Sequence, residues 1–470
     1  MRGITSGVTL LLACTSIGLY PGVSHGVGPD LAIGGIGETM THGDAPPVIY
    51  TLSGSSDIAY IFNFLTCNLG DAPASFQTNP PLHPATGQSM FRLKGGRFEQ
   101  IGVSWIHHNY CALQNNFCNT CTPSQNCGFL GVGCTTINSA GNAGSMLAPR
   151  SQINAAAGTF QFPSPITSGG IPTSLDGRIR VHRSDIAPAS NPGALYFVEA
   201  SFTAADDANP YNNASHRQIG FTTNLTVFSP NGPGGTVIGN PAIFAWQAAD
   251  ATVELDPIVI PNEGGPGHDG VFWIGSKVTE VSDSQWDYEY AVYNLSSDCS
   301  GGAWTIPVPA GVTVTDVGFH DVDYSGPEPV DGTDWAVTSS AGQIHWSTQS
   351  FDENPNANAI RWGTLYNFRF SASTPPVEGP ATLGLFKNCG DPTLMVQVPT
   401  PSAPTTCHCP GDVNADGAVN ASDLPRFVAM YLGVESASPC ADGATPTNGD
   451  LDDDDVQAFV EAILSGTACP

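Results

Sequence analysis

The chain runs to 470 residues and sets 14 Lys and Arg against 42 Asp and Glu, a formal charge of −28. That charge repels phosphate backbones and anionic lipid surfaces, which argues against nucleic acid as a partner. The length points to two or three domains, and 53 Gly with 39 Pro favour many short strands joined by turns over long helices.

Residues 1–26 read as an export signal: Arg2, an apolar run over 8–20, then the small residues Gly22, Val23 and Ser24. Leu11-Leu12-Ala13-Cys14 offers a rival reading, a lipid anchor on Cys14. No later stretch approaches twenty continuous apolar residues, so no transmembrane segment is expected and the protein reads as secreted or held at the cell surface. Export would place the remaining cysteines in an oxidising compartment, where disulfides are the default. Their connectivity stays open, with pairing inside the 67–134 and 407–469 clusters the simpler arrangement.

Residues 27–265 form a β-rich, cysteine-containing domain whose function the sequence leaves unassigned. Segments 48–52, 58–65 and 194–202 have the length and the β-branched or aromatic content of strands. Between them, 111–134 reads as a disulfide-stapled loop. The turn cluster 261–267 suggests a boundary, and 266–390 then reads as a β-sandwich-like domain. Within it Trp286, Tyr288, Tyr290 and Val292 alternate with Asp287, Glu289 and Ala291. Residues 391–406, with Pro399, Pro401 and Pro404, look like a semi-rigid linker. The fold class expected is mainly β, with a small helical module at 407–470.

Chemistry in the large region is sparsely signalled. His107 and His108 are neighbours, and neighbours on a strand face opposite ways, which weakens a transition-metal reading. Gly-x-Ser-x-Gly does not occur. Glu99, Glu199, Glu289, Asp321 and Asp323 are carboxylates of the kind glycoside hydrolysis uses in pairs, but most are expected to be solvated. His320-Asp321-Val322-Asp323 is a further calcium candidate. An exposed coplanar tryptophan pair would favour carbohydrate binding, although more of the tryptophans are expected in the core.

The C-terminal pattern is the most specific. Calcium takes six to eight oxygens from a curled loop. Counting Asp412 as the first position puts Asn414 third, Asp416 fifth, the Ala418 carbonyl seventh, Asn420 ninth and Asp423 twelfth, with Gly417 at the sharp sixth position. An amphipathic helix then begins at Leu424. The pattern recurs 32 residues on, where Phe459 matches Phe427 and Asn448, Asp450, Asp452 and Asp455 supply oxygens, while Ala444 and Pro446 supply none at the first and third positions.

These residues resemble the dockerin family, duplicated EF-hand-like calcium loops each followed by a helix. The resemblance covers about 408–465. It implies Ca2+ as the bound ion and a cohesin-like partner contacted by helix positions just after each loop, here Ser422, Pro425, Arg426, Asp454, Gln457 and Ala458. A terminal duplicate on an exported β-rich chain, with Asn294-Leu295-Ser296-Ser297-Asp298, is also similar to large secreted proteins of planctomycete-type bacteria. The expected function is secreted calcium binding in extracellular attachment or assembly, on a protein or polysaccharide; the alternative is a polysaccharide-degrading enzyme carrying the same module.

Overall fold

The computed structural model describes residues 27–470 apart from 145–146, 166–172, 233, 283, 341, 405–406, 408, 415, 436–437, 444–450 and 466–470. The expected export signal and Cys14 lie outside these residues. Every strand pairing within a described sheet is antiparallel, and tight turns set several of them. Lys94 pairs with Arg97 across Gly95-Gly96, both at positive φ (58° and 82°). Such a two-residue turn matches strand twist and is open chiefly to glycine.

The strands stack in layers. Two three-stranded sheets form the first, built from Leu31–Ile36, Phe64–Asn68 and Thr135–Asn138, and from Val48–Thr51, Asp57–Ile61 and Ile179–His182. They pack on a seven-stranded sheet centred on Arg97–His108, Ala85–Lys94, Leu195–Thr203 and Ala214–Phe221, burying Ile33, Tyr60, Phe64, Met90, Val198 and Phe202. The opposite parity of those strands presents Phe91, Phe98 and Phe197 to a second core with Trp246, Trp273, Tyr293 and Leu365. The last three belong to a five-stranded sheet ordered Glu254–Ile260, Gly270–Ser282, Gln285–Asn294, Leu365–Ala372, Val314–His320. Its far face, with Ile274, Tyr288, Tyr290, Val292, Phe368 and Phe370, packs onto Ala336–Ser340, Gln343–Ser347, Gly301–Pro307, Pro376–Leu385 and Thr393–Pro401.

This stack revises the expected boundaries. The 261–267 cluster is the hairpin turn joining Glu254–Ile260 to Gly270–Ser282, with Ile260 paired to Gly270, so the sandwich starts at 254 and shares a core with the layer before it. Residues 393–401 of the expected linker are an edge strand paired to Pro376–Leu385. Prolines are tolerated there because an edge strand has one side free of ladder bonds, while Val396 and Val398 point into the sandwich core. The 111–134 loop is stapled as expected, by Cys67–Cys118, Cys111–Cys127 and Cys121–Cys134; Cys299–Cys389 closes the sandwich. Among the described residues no helix is long and apolar enough to cross a membrane.

Several polar side chains between the layers are matched by partners. Gln100 Nε2 donates to the Gly363 carbonyl at 3.0 Å and its Oε1 accepts from Leu365 N at 2.7 Å. Asn367 Nδ2 donates to the Phe98 carbonyl at 2.9 Å. The buried Arg150 guanidinium donates to the carbonyls of Ser104 and Gln88 and lies over Trp362. A Cβ on Gly87 or Gly363 would meet that guanidinium at 2.2 Å, so neither position has room for a side chain. Glu199, expected at a solvated face, is 0 % exposed; it accepts from Tyr293 Oη at 2.5 Å and from Ala242 N at 2.7 Å.

Burial pushes the Glu199 carboxyl up to about 7 from its ordinary 4.5, against the pull of the Ala242 N–H, the Tyr293 hydroxyl and Arg150. Between those two values the folded chain holds a proton that the unfolded chain has released, so this group's contribution to stability is lost as pH rises through the window. Glu199→Gln is expected to flatten the fall in unfolding free energy between pH 4.5 and 7 by on the order of 3 kcal/mol. An unchanged slope in denaturation at a series of pH values would contradict the assignment.

Candidate metal centre

The loop at 412–423 folds around its own acidic side chains. Both oxygens of Asp412 accept backbone N–H groups, from Asp416 at 3.1 Å and Gly417 at 2.9 Å. Both oxygens of Asp423 do the same, from Asn414 at 3.1 Å and Asn420 at 3.0 Å. Asp412 is 8 % exposed and Asp423 0 %, although they lie eleven positions apart in the chain, so the loop curls back upon itself. Gly417, at φ 88°, makes the bend in the region that favours glycine. Asp416 stays at the surface, where Asn414 Nδ2 and Ser422 Oγ each donate to its Oδ2 at 3.0 Å. Those bonds, Asn414 foremost, hold its carboxyl below the usual range.

The helices Leu424–Tyr431 and Asp453–Ser465 follow the two loops. Phe427 and Phe459, the matched residues of the two repeats, stack with ring centroids 3.8 Å apart and planes 2° apart. With Val413, Met430 and Ala441 they form a small separate core. Val419, at the eighth position, is buried and sits against Gly411, where a Cβ would come within 2.7 Å of its methyl group. The disulfide Cys407–Cys440 ties the start of the first loop to the segment after its helix.

The second loop is described only in part. Asn448 and Asp450 lie outside the described residues. Asp455 is 0 % exposed and its Oδ2 accepts from Asp452 N at 3.0 Å, the counterpart of the Asp423 bond to Asn420 N. Asp453 is turned away to accept from the Tyr431 hydroxyl. Of the expected partner-contact positions, Ser422, Pro425, Arg426, Asp454 and Gln457 are exposed, with the Ser422 hydroxyl engaged by Asn414 and Asp416 of the loop.

The donor set of the first loop is oxygen alone: Asp412, Asn414, Asp416, Asn420 and Asp423 side chains, with the Ala418 carbonyl. Such a set suits a hard cation and lacks the imidazole or thiolate that zinc and copper favour. The other sequence candidates suit a metal less well. His108 Nδ1 lies 3.1 Å from His83 Nε2 among Tyr110, Phe160 and Phe162, and burial pushes it down to about 3. His107 faces the other way, towards Phe64. Asp321 engages Asn358 Nδ2. Glu263, Cys299 and Cys389 lie close together, but the two cysteines are bonded to each other and offer no thiolate. His83 was missed because nothing in its local sequence marks it; it reaches His108 only through the fold.

No protein-family model matches the chain, and no curated protein matches it either. The case for the site therefore rests on its own geometry.

Phe427→Ala is expected to cost about 3–5 kcal/mol, a large part of what so small a core supplies. Hydrogen exchange on the full chain should then show the 424–431 and 453–465 amides losing protection together. Loss confined to 424–431 would mean the helices do not share a core.

Proposed function

We propose that the chain is an exported calcium-binding protein whose C-terminal module serves extracellular attachment or assembly, with the layered β body as the part displayed. The observation that carries this reading is the burial of Asp412 and Asp423, each accepting two backbone N–H groups of one loop whose candidate donors are all oxygen. A bound Ca2+ would supply the charge that offsets these carboxylates, and Asp412, Asn414, Asp416, Asn420, Asp423 and the Ala418 carbonyl would hold it; Asp452 and Asp455, with Asn448 and Asp450, would serve the second loop.

Attachment is supported by what the helices leave uncovered. Leu424, Val428 and Leu432 stand at i, i+4 and i+8, exposed by 46, 43 and 68 %, and Val460 and Leu464 repeat the spacing on the second helix. Apolar side chains in such rows suit a protein surface, as a cohesin-like partner would offer. A polysaccharide partner has less support, since seven of the eight tryptophans are buried and Trp286 is half-buried, leaving no exposed coplanar pair.

One observation favours the enzymatic alternative. An open pocket of about 440 Å³ is lined by Arg97, Asp287, Glu289, Asp316 and Arg369. Burial pushes Glu289 up to about 7 there, against Arg97 and Arg369, as suits a general acid beside other carboxylates. A reducing-end assay over a panel of glycans tests this reading: activity abolished by Glu289→Gln would support it, and no activity on any polymer would remove it.

For the calcium reading, ion at about 100 times its Kd adds about 2.7 kcal/mol to the folded state. Asp412→Ala and Asp423→Ala should each lose most of that gain and weaken the calorimetric titration. Asp453→Ala should keep the binding heat and lose only its bond from Tyr431. Undiminished heats in both loop variants would contradict the site.

A further inference from the structure

A second group of oxygens is buried where the first layer meets the seven-stranded sheet. Asp30 immediately precedes the strand Leu31–Ile36, while Asp206, Asp207, Asn212 and Asn213 lie in the connection between Leu195–Thr203 and Ala214–Phe221. Asp30 is 0 % exposed, Asp207 3 %, Asn212 6 % and Asn213 5 %. Asn212 Nδ2 donates to Asp30 Oδ1 at 2.8 Å, which places the two side chains together. Leu31 N donates to Asp207 Oδ1 at 2.8 Å, bringing Asp207 to the same strand start, and Ala208 N donates to the Pro29 carbonyl at 2.8 Å. Asp206 Oδ2 accepts from Ser75 N at 2.7 Å on the flank of the group.

These bonds use one oxygen of each carboxylate and leave the other. Asp30 Oδ2, Asp206 Oδ1, Asp207 Oδ2, Asn212 Oδ1 and Asn213 Oδ1 are buried without a hydrogen-bond partner. None of the ion pairs among the described residues includes Asp30, Asp206 or Asp207. Asp207 has Asp30 and Asp206 as like-charged neighbours, and its side-chain partner is the neutral amide of Asn213. Buried carboxylates are ordinarily paired with a cationic side chain or bound to a metal, and an unpaired buried oxygen is destabilising. Several together, all oxygen, describe the inner wall of a cation site.

We propose that Asp30, Asp207, Asn212 and Asn213, flanked by Asp206, hold a structural divalent cation that fastens the 204–213 connection to the first layer. Calcium is the ion of choice. Among the described residues no three carboxylates here come within 4.8 Å of one another, so the shell takes two and is completed by amide and backbone oxygens. Calcium accepts such an irregular shell of neutral and charged oxygens, whereas magnesium demands a near-ideal octahedron.

The test separates this site from the terminal loops by counting ions on the full chain. With Asp412, Asp423, Asp452 and Asp455 all replaced by alanine, the chain dialysed against micromolar calcium should retain one equivalent by mass spectrometry, and adding Asp207→Asn should remove it. The single variant Asp207→Asn should also invert its effect with the medium. Its melting temperature should fall below wild type in millimolar calcium, where a ligand is lost, and equal or exceed wild type in chelator, where like-charge repulsion is relieved. Retention of no ion by the alanine-substituted chain, retention of the ion after Asp207→Asn, or the same order of melting temperatures in both media would each overturn the proposal.

Discussion

The large region is organised by a sheet covered on both faces. Strand Gln285–Asn294 sends Tyr288, Tyr290 and Val292 into one core and Ala291 and Tyr293 into another, so beyond its first residues, which border the open pocket, neither face is left for water. A polar group entering such a sheet must find its partner inside the protein or pay in stability. Tyr293 finds Glu199, Gln100 finds the backbone at 363–365, and Asn367 finds the Phe98 carbonyl. These bonds fix the register of one layer on the next, which apolar contacts alone specify weakly. Glu99 and Glu289 meet Arg92 and Arg97 in the same way at the margins.

The terminal module works under the opposite condition. Its core is a handful of side chains around one aromatic stack, with a disulfide at its entrance and an oxygen-lined loop. A unit of this size gains much of its stability from such staples. Where the β body is held by area, the module is held by a few discrete interactions, each of which can be removed by one substitution.

Much of this was legible in the sequence, and the omissions have physical causes. The alternation at 286–292 identified a strand, since period two is a local property, but not that both of its faces are covered. Cysteine clustering anticipated local pairing, because cysteines close in sequence meet without help from the rest of the fold. The 261–267 cluster misled because hairpin turns and domain boundaries use the same residues, and only the pairing of Ile260 with Gly270 distinguishes them. The prolines of 399–401 concealed a strand because an edge tolerates them. Glu199 was unreadable for another reason: its partners stand 43 and 94 positions away, and local sequence carries no sign of them. The oxygens around Asp30 and Asp207 escaped notice likewise, being 177 positions apart before folding (207 − 30).

The edge strand Thr393–Pro401 is joined on one side only, and the chain leads from it to the terminal module within a few residues. Tension on an anchored module would therefore reach the body at that strand, whose hydrogen bonds can give way one after another from Pro401 backwards. Four residues before Thr393 the chain meets Cys389, covalently fixed to Cys299 at the threshold of Gly301–Pro307. Fraying under load thus has a mechanical stop, and the sandwich beyond it is shielded from the pull.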